Sequence, residues 1–218
     1  DVIREAMFRG ADGGVLITDR KFAGADTLAT SYTLAAAIRK LAPDVIVAGR
    51  QAIDGDTAQV GPQVAEKLGL PQITYCEKIE KIDGRQITIR RRLESGVEVV
   101  ECHTPMVITV NSSAAECRPK NAKLVLKYKH AKTVSEVQDL AEDYYLALRT
   151  DRCYLNIPQW GAGDMEVKAE DLGLSGSPTK VKKIENIVFA AKDAKHIDGS
   201  DSQINDLMKE LIAAHTIG

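Results

Sequence analysis

The sequence is poor in aromatic residues and has no long apolar segment. It contains three phenylalanines and one tryptophan, although 44% of its 218 residues are hydrophobic. The core is therefore expected to consist of Val, Ile, Leu and Ala side chains. No apolar run approaches the roughly 20 residues that a membrane-spanning helix needs. We therefore expect no membrane segment and no membrane partner.

The charge balance and the cysteine spacing exclude two further classes of protein. The net charge is −2, so a basic surface for nucleic acid is not expected. The cysteines form no C-x-x-C pair, which argues against a zinc or iron–sulfur site, and we predict no metal. Separate thiols are typical of reduced, cytoplasmic proteins. The four are Cys76, Cys102, Cys117 and Cys153.

The first forty residues alternate between helical and strand patterns. Residues 1–10 predict a helix that ends at Gly10, without an apolar signal-peptide core. Because an α/β domain rarely begins with a crossover helix, we expect further strands before this segment. A strand is predicted at 14–18, followed by a helix from Asp26 to about Leu41. Its apolar face is expected to contain Leu28, Tyr32, Ala35, Ile38 and Leu41.

Residues 44–71, DVIVAGRQAIDGDTAQVGPQVAEKLGLP, are the most informative part of the sequence. An apolar strand at 45–48 ends in a glycine-containing polar loop. A helix is predicted from Asp56 or Thr57 to Gly69. The alternation of helices and strands up to this point predicts an α/β fold with a doubly wound, mostly parallel sheet.

The next segments predict an antiparallel extension of that sheet. Strands are expected at 73–82, 86–93, 97–102 and 106–110, separated by the turn pairs Asp83-Gly84 and Ser95-Gly96. The arginines at 90–92 are expected on a solvated edge strand. We therefore predict an α/β nucleotide-binding domain at 1–155, and a C-terminal arm and helix at 156–218 that lie along another surface.

Two capping boxes predict later helices. Thr133-x-x-Glu136 predicts a helix to about Thr150, and Ser200-x-x-Gln203 predicts a C-terminal helix. The apolar face of the C-terminal helix contains Ile204, Leu207, Met208 and Leu211. Residues 172–179 contain glycines but follow no strand, so a shaped turn is expected there instead of a phosphate loop.

The strand, loop and helix at 44–71 have the arrangement by which α/β proteins hold phosphate. The first amides of a helix lack intrahelical partners, and the helix dipole is positive there. The amides of Gly55 to Gln59 can therefore surround a pyrophosphate. Asp54 and Asp56 are unfavourable beside a phosphate, and Asp56 can itself cap the helix. An ordinary capped helix explains the same pattern, since no G-x-G-x-x-G or G-x-x-x-x-G-K-[ST] is present.

Side-chain catalysis has weak support in the sequence. Cys102 and His103 are adjacent in a predicted strand and therefore point to opposite faces. No G-x-S-x-G occurs, and no carboxylate pair is spaced for acid–base work. We predict no catalytic residue. A redox protein whose cofactor performs the chemistry needs only binding and electrostatics from its chain.

Three motifs resemble the β subunits of electron-transferring flavoproteins, over nearly the whole chain. They are GRQAIDGDTAQVGP at 49–62, IRRRLESGVEVVECHTPMVIT at 89–109 and LGLSGSPTKV at 172–181. The second follows the family signature except at Ser95, a turn position where the family has glycine or an acid. Its matching residues are Arg91, Glu94, Gly96, Glu98, Val100, Pro105, Val107, Ile108 and Thr109. The resemblance implies a fold of the adenine-nucleotide-hydrolase type.

The resemblance also implies cofactors and partners. Family members are heterodimers with an α subunit that carries FAD, on which the arm at 156–218 would pack. Gly55 and Thr57 are similar to the electron-bifurcating branch, in which a second FAD, reduced by NADH, replaces a structural AMP. One electron then passes to ferredoxin or flavodoxin, and the other, through the α-subunit FAD, to an acyl-CoA-type or lactate-type flavin dehydrogenase. The implied cofactor-binding residues are Gly49, Arg50, Gln51, Ala52, Asp54, Gly55, Asp56, Thr57, Ala58, Gln59, Val60 and Gly61.

A loop that recognises the dehydrogenase partner is implied after Val110. The Asn-Glu-Pro-Arg of housekeeping members is altered here, within residues 115–119. The implied recognition residues are Asn111, Ser112, Ala115, Glu116 and Arg118. Two alternatives stay open: a housekeeping β subunit with structural AMP, and a universal-stress-type nucleotide sensor. The sensor requires a glycine-rich phosphate loop after a late strand, which 173–178 does not provide.

Overall fold

The chain forms two compact units, Asp1–Lys180 and Val181–Gly218. The computed structural model describes residues 1–53, 55–138, 152–180 and 194–214. Residues 156–180, which the sequence assigns to the arm, belong to the first unit. The continuation of the helix predicted from Thr133 to Thr150 lies outside the described residues after position 138.

The first unit is built on a mixed sheet. Its strands are β2 (Val45–Gly49), β3 (Gln72–Asp83), β4 (Gln86–Leu93), β5 (Gly96–His103) and β6 (Met106–Val110). Within the described residues the order is β2–β6–β3–β4–β5, with β2, β6 and β3 parallel and β4 and β5 antiparallel. The predicted α/β fold with an antiparallel extension is confirmed. The predicted strand at 14–18 is reduced to β1 (Leu16–Ile17), which pairs with β7 (Gln159–Trp160) in a separate sheet.

The predicted helices occur in the predicted order, and one further helix, Ala122–Tyr128, was not predicted. The helices are α1 (Val2–Phe8), α2 (Thr27–Leu41), α3 (Val60–Leu68), α4 (Ala122–Tyr128), α5 (Val134–Gln138) and α6 (Asp201–Ala213). The capping box of α5 is confirmed, because the Thr133 amide donates to Glu136 and the Glu136 amide donates back to the Thr133 hydroxyl. None of the helices in the described ranges is both long and apolar enough to cross a membrane.

The predicted apolar face of α2 is wrong at both ends, whereas Ala35 is buried and Tyr32 and Ile38 are half-buried. Leu28 and Leu41 are 40% and 56% exposed. The buried face is made of small residues, which let α2 pack closely against its neighbours, including Met165. A pattern of large apolar residues therefore misplaces this face. The buried residues are Ala29, Ser31, Thr33, Ala35, Ala36 and Ala37.

The main core is formed by three adjacent strands of the sheet, β6, β3 and β4. Register shifts in β3, between Ile73 and Cys76 and between Ile79 and Lys81, are irregularities of the kind that bend a strand. Side chains of β3, β4 and β6 form one buried cluster. The cluster consists of Ile73, Cys76, Ile87, Ile89, Met106 and Ile108. It contains no aromatic side chain, but a second cluster buries Tyr128, so the core is not purely aliphatic.

The prediction that the arginines at 90–92 lie on an edge strand is wrong. They belong to β4, which pairs on one side with β3 and on the other with β5. Charge is tolerated there because Glu77 of β3 lies 2.9 Å from Arg92 and 3.4 Å from Arg90. These carboxylates are distant in sequence, so the arginine run by itself does not reveal them.

The turn at 172–179 is anchored to the start of α2. One carboxylate oxygen of Asp26 accepts from the amides of Leu28 and Ala29, at 2.9 and 3.0 Å. The other accepts from the hydroxyl and amide of Thr179, at 2.7 and 3.1 Å. The Asp26 amide donates to the Ser177 hydroxyl, at 2.8 Å. Burial raises the pKa of Asp26, but these bonds, the one from Ala29 foremost, lower it to about 2.

Removal of this carboxylate should destabilise the first unit. We expect Asp26→Ala to reduce the free energy of unfolding by about 1–2 kcal/mol, the usual cost of a lost N-cap. The ionised group stabilises the fold above its ordinary pKa of 3.8, and this contribution is lost as the pH falls towards about 2. Urea unfolding at a series of pH values measures both effects.

Asp26→Asn is the matched control, because the amide oxygen can still cap α2. It should keep more stability than Asp26→Ala and lose the acid dependence that the carboxylate contributes. If Asp26→Asn and the original chain lose stability equally over that acid range, the carboxylate does not have this role.

Candidate nucleotide-binding site

The loops that follow β2 and β6 begin side by side. β2 and β6 are parallel and pair from Val45 with Met106 to Gly49 with Val110. The segments 50–59 and 111–121 therefore leave the sheet at the carboxyl ends of adjacent strands. In open α/β sheets this edge is the place where ligands bind. The structure thus brings together the starts of the two segments that the sequence singles out.

The predicted start of α3 at Asp56 or Thr57 is wrong, because the helix begins at Val60. Asp56 and Ala58 have left-handed φ values of 49° and 53°, which a right-handed helix cannot contain. The N-cap position belongs to Gln59, whose side chain makes no capping hydrogen bond. The Asp56 carboxylate accepts from the Gln51 side chain instead. The expected competition between Asp56 and a phosphate for the helix amides is therefore absent.

Several amides of this loop are available to an external acceptor. The Asp56 amide donates to the Ala52 carbonyl, at 3.0 Å. The amides of Thr57, Ala58 and Gln59 make no hydrogen bond to any residue that the structure describes. Left-handed residues in such a turn can direct successive N–H groups into one concavity, which binds anions. With the dipole of α3 behind it, the loop suits an anion such as pyrophosphate.

The predicted cofactor-binding residues occupy one continuous segment, from the end of β2 to the first turn of α3. Asp54 lies outside the described residues. Ala58 and Val60 are half-buried, and Gly61 is buried. The exposed residues are Gly49, Arg50, Gln51, Ala52, Gly55, Asp56, Thr57 and Gln59.

Gly61 has a packing role that its position in the motif does not reveal. A Cβ at this position would lie 2.6 Å from Cγ2 of Thr109 and 3.5 Å from Cβ of Ala48. The missing side chain therefore lets the first turn of α3 approach β6 and β2. Thr109 is itself buried, and its hydroxyl accepts from the Tyr75 amide at 3.2 Å. The position of the loop thus depends on a glycine–threonine contact.

The sequence did not reveal that the start of α2 also borders this site. The Thr27 hydroxyl donates to the Gln59 side-chain oxygen at 3.0 Å. The side-chain amide of Gln63 donates to the Thr27 hydroxyl at 3.4 Å. The side-chain oxygen of Gln63 is buried and has no partner among the described residues. Thr27 and Gln59 are too distant along the chain for any local pattern to link them.

The predicted partner-recognition loop is fixed near both ends and exposed between them. The Asn111 amide donates to the Cys76 carbonyl at 2.8 Å, and its side chain accepts from the Ser112 amide at 2.9 Å. Arg9 donates to the Arg118 carbonyl at 2.6 Å. Ala115 and Glu116 are exposed. The loop can therefore present side chains while its ends remain attached to the domain.

The fold and this loop define a class: an α/β domain with an anion-compatible loop at the carboxyl edge of parallel strands. Residues 1–139 match the family model described as "Electron transfer flavoprotein domain". The chain belongs to the electron transfer flavoprotein family. This membership agrees with the three motifs of the β subunit and argues against a universal-stress-type sensor.

Relatives of known name support the β-subunit assignment. The chain is 43% identical to the electron transfer flavoprotein subunit beta of Clostridium acetobutylicum, over 96% of this chain and 68% of the relative. It is 41% identical to the protein FixA of Azorhizobium caulinodans, over 95% and 68%. It is 36% identical to the acryloyl-CoA reductase electron transfer subunit gamma of Anaerotignum propionicum, over 99% and 74%.

The contact between Gly61 and Thr109 can be tested by stability. We expect Gly61→Ala to reduce the free energy of unfolding by about 1–3 kcal/mol, because the added methyl group overpacks a buried contact. Thr109→Ser removes Cγ2 and keeps the hydroxyl, so the double variant should recover much of that loss. Gly49→Ala is the control, since a Cβ there meets no atom within 4 Å. Equal destabilisation by Gly61→Ala in both backgrounds would contradict the contact.

Proposed function

We propose that the segment from Gly49 to Gly61 binds the adenosine diphosphate part of FAD. The observation that carries this proposal is the row of amides at 57–59 without partners among the described residues, beside the start of α3. The pyrophosphate would lie against residues 54–61, and the adenosine near residues 49–51. Gly55 supports a close approach, because a Cβ there would meet no atom of the described chain within 4 Å.

In this proposal the chain supplies binding and electrostatics, and the flavin supplies the redox chemistry. NADH is the electron donor. One electron goes to ferredoxin or flavodoxin, and the other goes through the FAD of the α subunit to a dehydrogenase of acyl-CoA or lactate type. The similarity of GDTAQV to the bifurcating branch supports this assignment. A relative named as an electron transfer subunit of acryloyl-CoA reductase is consistent with an acyl-CoA-type acceptor.

The C-terminal segment is proposed to pack on the α subunit. Its helix α6 is capped by Ser200, which accepts from the Gln203 amide at 3.5 Å. Apolar side chains on α6 are exposed within the described residues: Ile204 by 43%, Met208 by 43% and Ile212 by 55%. An amphipathic helix with an uncovered apolar face gains stability when a partner covers that face.

The loop after β6 is proposed to contact the dehydrogenase. Its exposed residues include Ser112, Ala115, Glu116 and Arg118. They lie beside the proposed flavin loop, because Gly49 and Val110 are paired at the ends of β2 and β6. An electron-accepting partner that docks there would approach the proposed cofactor.

Flavin stoichiometry tests the proposed function. We expect the purified heterodimer to contain two flavins, one of which NADH bleaches rapidly, because the β subunit holds its own FAD. Visible absorption and chromatography of the released nucleotides measure this. One flavin with one released AMP would contradict the proposal and indicate the housekeeping type.

Substitutions in the loop test the site itself. We expect Gly55→Ala to lower the flavin content of the β subunit by about tenfold, because the methyl group enters the space assigned to phosphate. The same variant should retain its free energy of unfolding, since its Cβ meets no described atom. Thr57→Val, which removes a hydroxyl donor from the loop, should also lower flavin content. Gly163→Ala, an equally open glycine outside the loop, is the control; equal flavin content in all variants would overturn the assignment.

A further inference from the structure

The start of α2 is bonded to two segments that are distant in sequence. On one side is the turn at 172–179, whose Thr179 donates to the Asp26 carboxylate. On the other side is the loop at 55–59, whose last residue accepts from the Thr27 hydroxyl. Asp26 and Thr27 are neighbours in the chain. A continuous connection therefore runs from the turn to the proposed flavin loop through two adjacent residues.

The turn is held closely against the start of α2. A Cβ at Gly173 would lie 2.8 Å from the carbonyl oxygen of Ala23, so the two backbones meet directly. The buried Ser177 hydroxyl donates to the Gly173 carbonyl at 2.6 Å and accepts from the Asp26 amide at 2.8 Å. Ser177 thus holds the backbone of Asp26, and Thr179 holds its side chain. The turn cannot shift without displacing the first residues of α2.

Thr27 contacts the beginning of α3 through two glutamines. Its hydroxyl donates to the Gln59 side-chain oxygen at 3.0 Å and accepts from the Gln63 side-chain amide at 3.4 Å. Gln59 occupies the N-cap position of α3, and Gln63 lies one turn later. The side-chain oxygen of Gln63 is buried without a partner among the described residues, so the bond to Thr27 orients this carboxamide. One hydroxyl therefore holds two positions in the first turn of α3.

Gln59 is also one of the residues that would face the anion. Its amide has no hydrogen-bond partner among the described residues, whereas its side chain is bonded to Thr27. An anion that accepts from this amide would order the residue that contacts α2. A displacement of Thr27 would, in turn, move an amide that binds the anion. Coupling between two sites is reciprocal, since each changes the binding free energy of the other by the same amount.

We propose that Thr27 is a positioning residue that couples occupation of the proposed flavin loop to the turn at 172–179. An occupied loop stabilises the bonds between Asp26 and Thr179, and an intact turn raises the affinity of the loop for its nucleotide. This coupling rests on the proposed function, because it takes the amides of 57–59 as nucleotide-binding groups. The second unit, Val181–Gly218, follows the turn along the chain. Loop occupation is thereby transmitted to the base of the segment that is proposed to pack on the α subunit.

Amide hydrogen exchange in the purified heterodimer tests the effect of the loop on the turn. Exchange is measured in the nucleotide-free heterodimer and after addition of FAD or of AMP. We expect the Thr179 amide, which donates to Asp26, to exchange about fivefold more slowly or less with nucleotide bound, the lower end of usual allosteric couplings. Thr27→Val, which lacks the hydroxyl, should abolish this difference. Thr27→Ser, which keeps the hydroxyl, should retain it.

Nucleotide affinity tests the effect of the turn on the loop. Thr179→Val removes the hydroxyl that donates to Asp26 at 2.7 Å and lies outside the loop. We expect it to weaken nucleotide binding by about fivefold in the original chain. In the Thr27→Val background it should have no further effect, because the connection is already interrupted.

Thr33→Val is the matched control for both measurements. It removes a hydroxyl that donates to the Ala29 carbonyl at 3.0 Å, elsewhere on α2. The variant should leave the nucleotide affinity and the exchange difference at Thr179 unchanged. Because the lost bond is buried, this control also shows what a general loss of stability in α2 does to both readouts.

The proposal is overturned if nucleotide leaves the exchange of the Thr179 amide unchanged, or if Thr27→Val keeps the difference. It is also overturned if Thr179→Val weakens binding equally with and without the Thr27 hydroxyl. Failure of the proposed function is a separate result: AMP in place of a second flavin contradicts that function, and the same exchange comparison with AMP still decides the coupling. A heterodimer that binds neither nucleotide at the loop overturns both proposals.

Discussion

The close approach of α3 to β6 at Gly61 is the contact on which the candidate site depends. A side chain at position 61 would collide with Cγ2 of Thr109 at 2.6 Å, so only glycine permits this distance. The hydroxyl of the same threonine holds the amide of Tyr75. One buried residue therefore contacts the helix that follows the proposed flavin loop and the irregularity of β3 at Tyr75. The first turn of α3 and the irregularity of β3 are linked through Thr109.

The electrostatics of the loop at 55–59 and of the antiparallel extension differ in origin. The loop at 55–59 uses backbone dipoles, which have fixed directions and do not titrate. The antiparallel extension carries arginines, whose charge would be costly in a central strand without a partner. Glu77, on β3, provides that partner for Arg92. The antiparallel extension can therefore carry guanidinium groups on one face while Ile87 and Ile89 of the same strand enter the core.

The sequence predicts elements whose determinants are local. The strands Gln86–Leu93 and Met106–Val110 match their predicted bounds, because alternation and glycine turns mark them. The prediction of where α3 starts is wrong because Asp56 and Ala58 adopt left-handed conformations. Nothing local to either residue requires these conformations. The prediction of the buried face of α2 is wrong at Leu28 and Leu41 because small residues form the observed buried face. The hydrogen bond between Thr27 and Gln59 joins distant segments, so tertiary packing alone determines it.

The left-handed residues also bear on how the loop would bind its ligand. Alanine in this conformation costs about 1–2 kcal/mol relative to the right-handed region, and Ala58 has no side-chain hydrogen bond to offset that cost. An anion that accepts hydrogen bonds from the adjacent amides would offset this conformational cost. Binding and loop conformation are then coupled, since a ligand that selects this arrangement also stabilises it. Non-glycine residues at 56 and 58 limit the alternative shapes of the loop, whereas a Cβ at Gly55 would meet no described atom within 4 Å. The loop combines backbone constraint with open space, which is what a site built from amides requires.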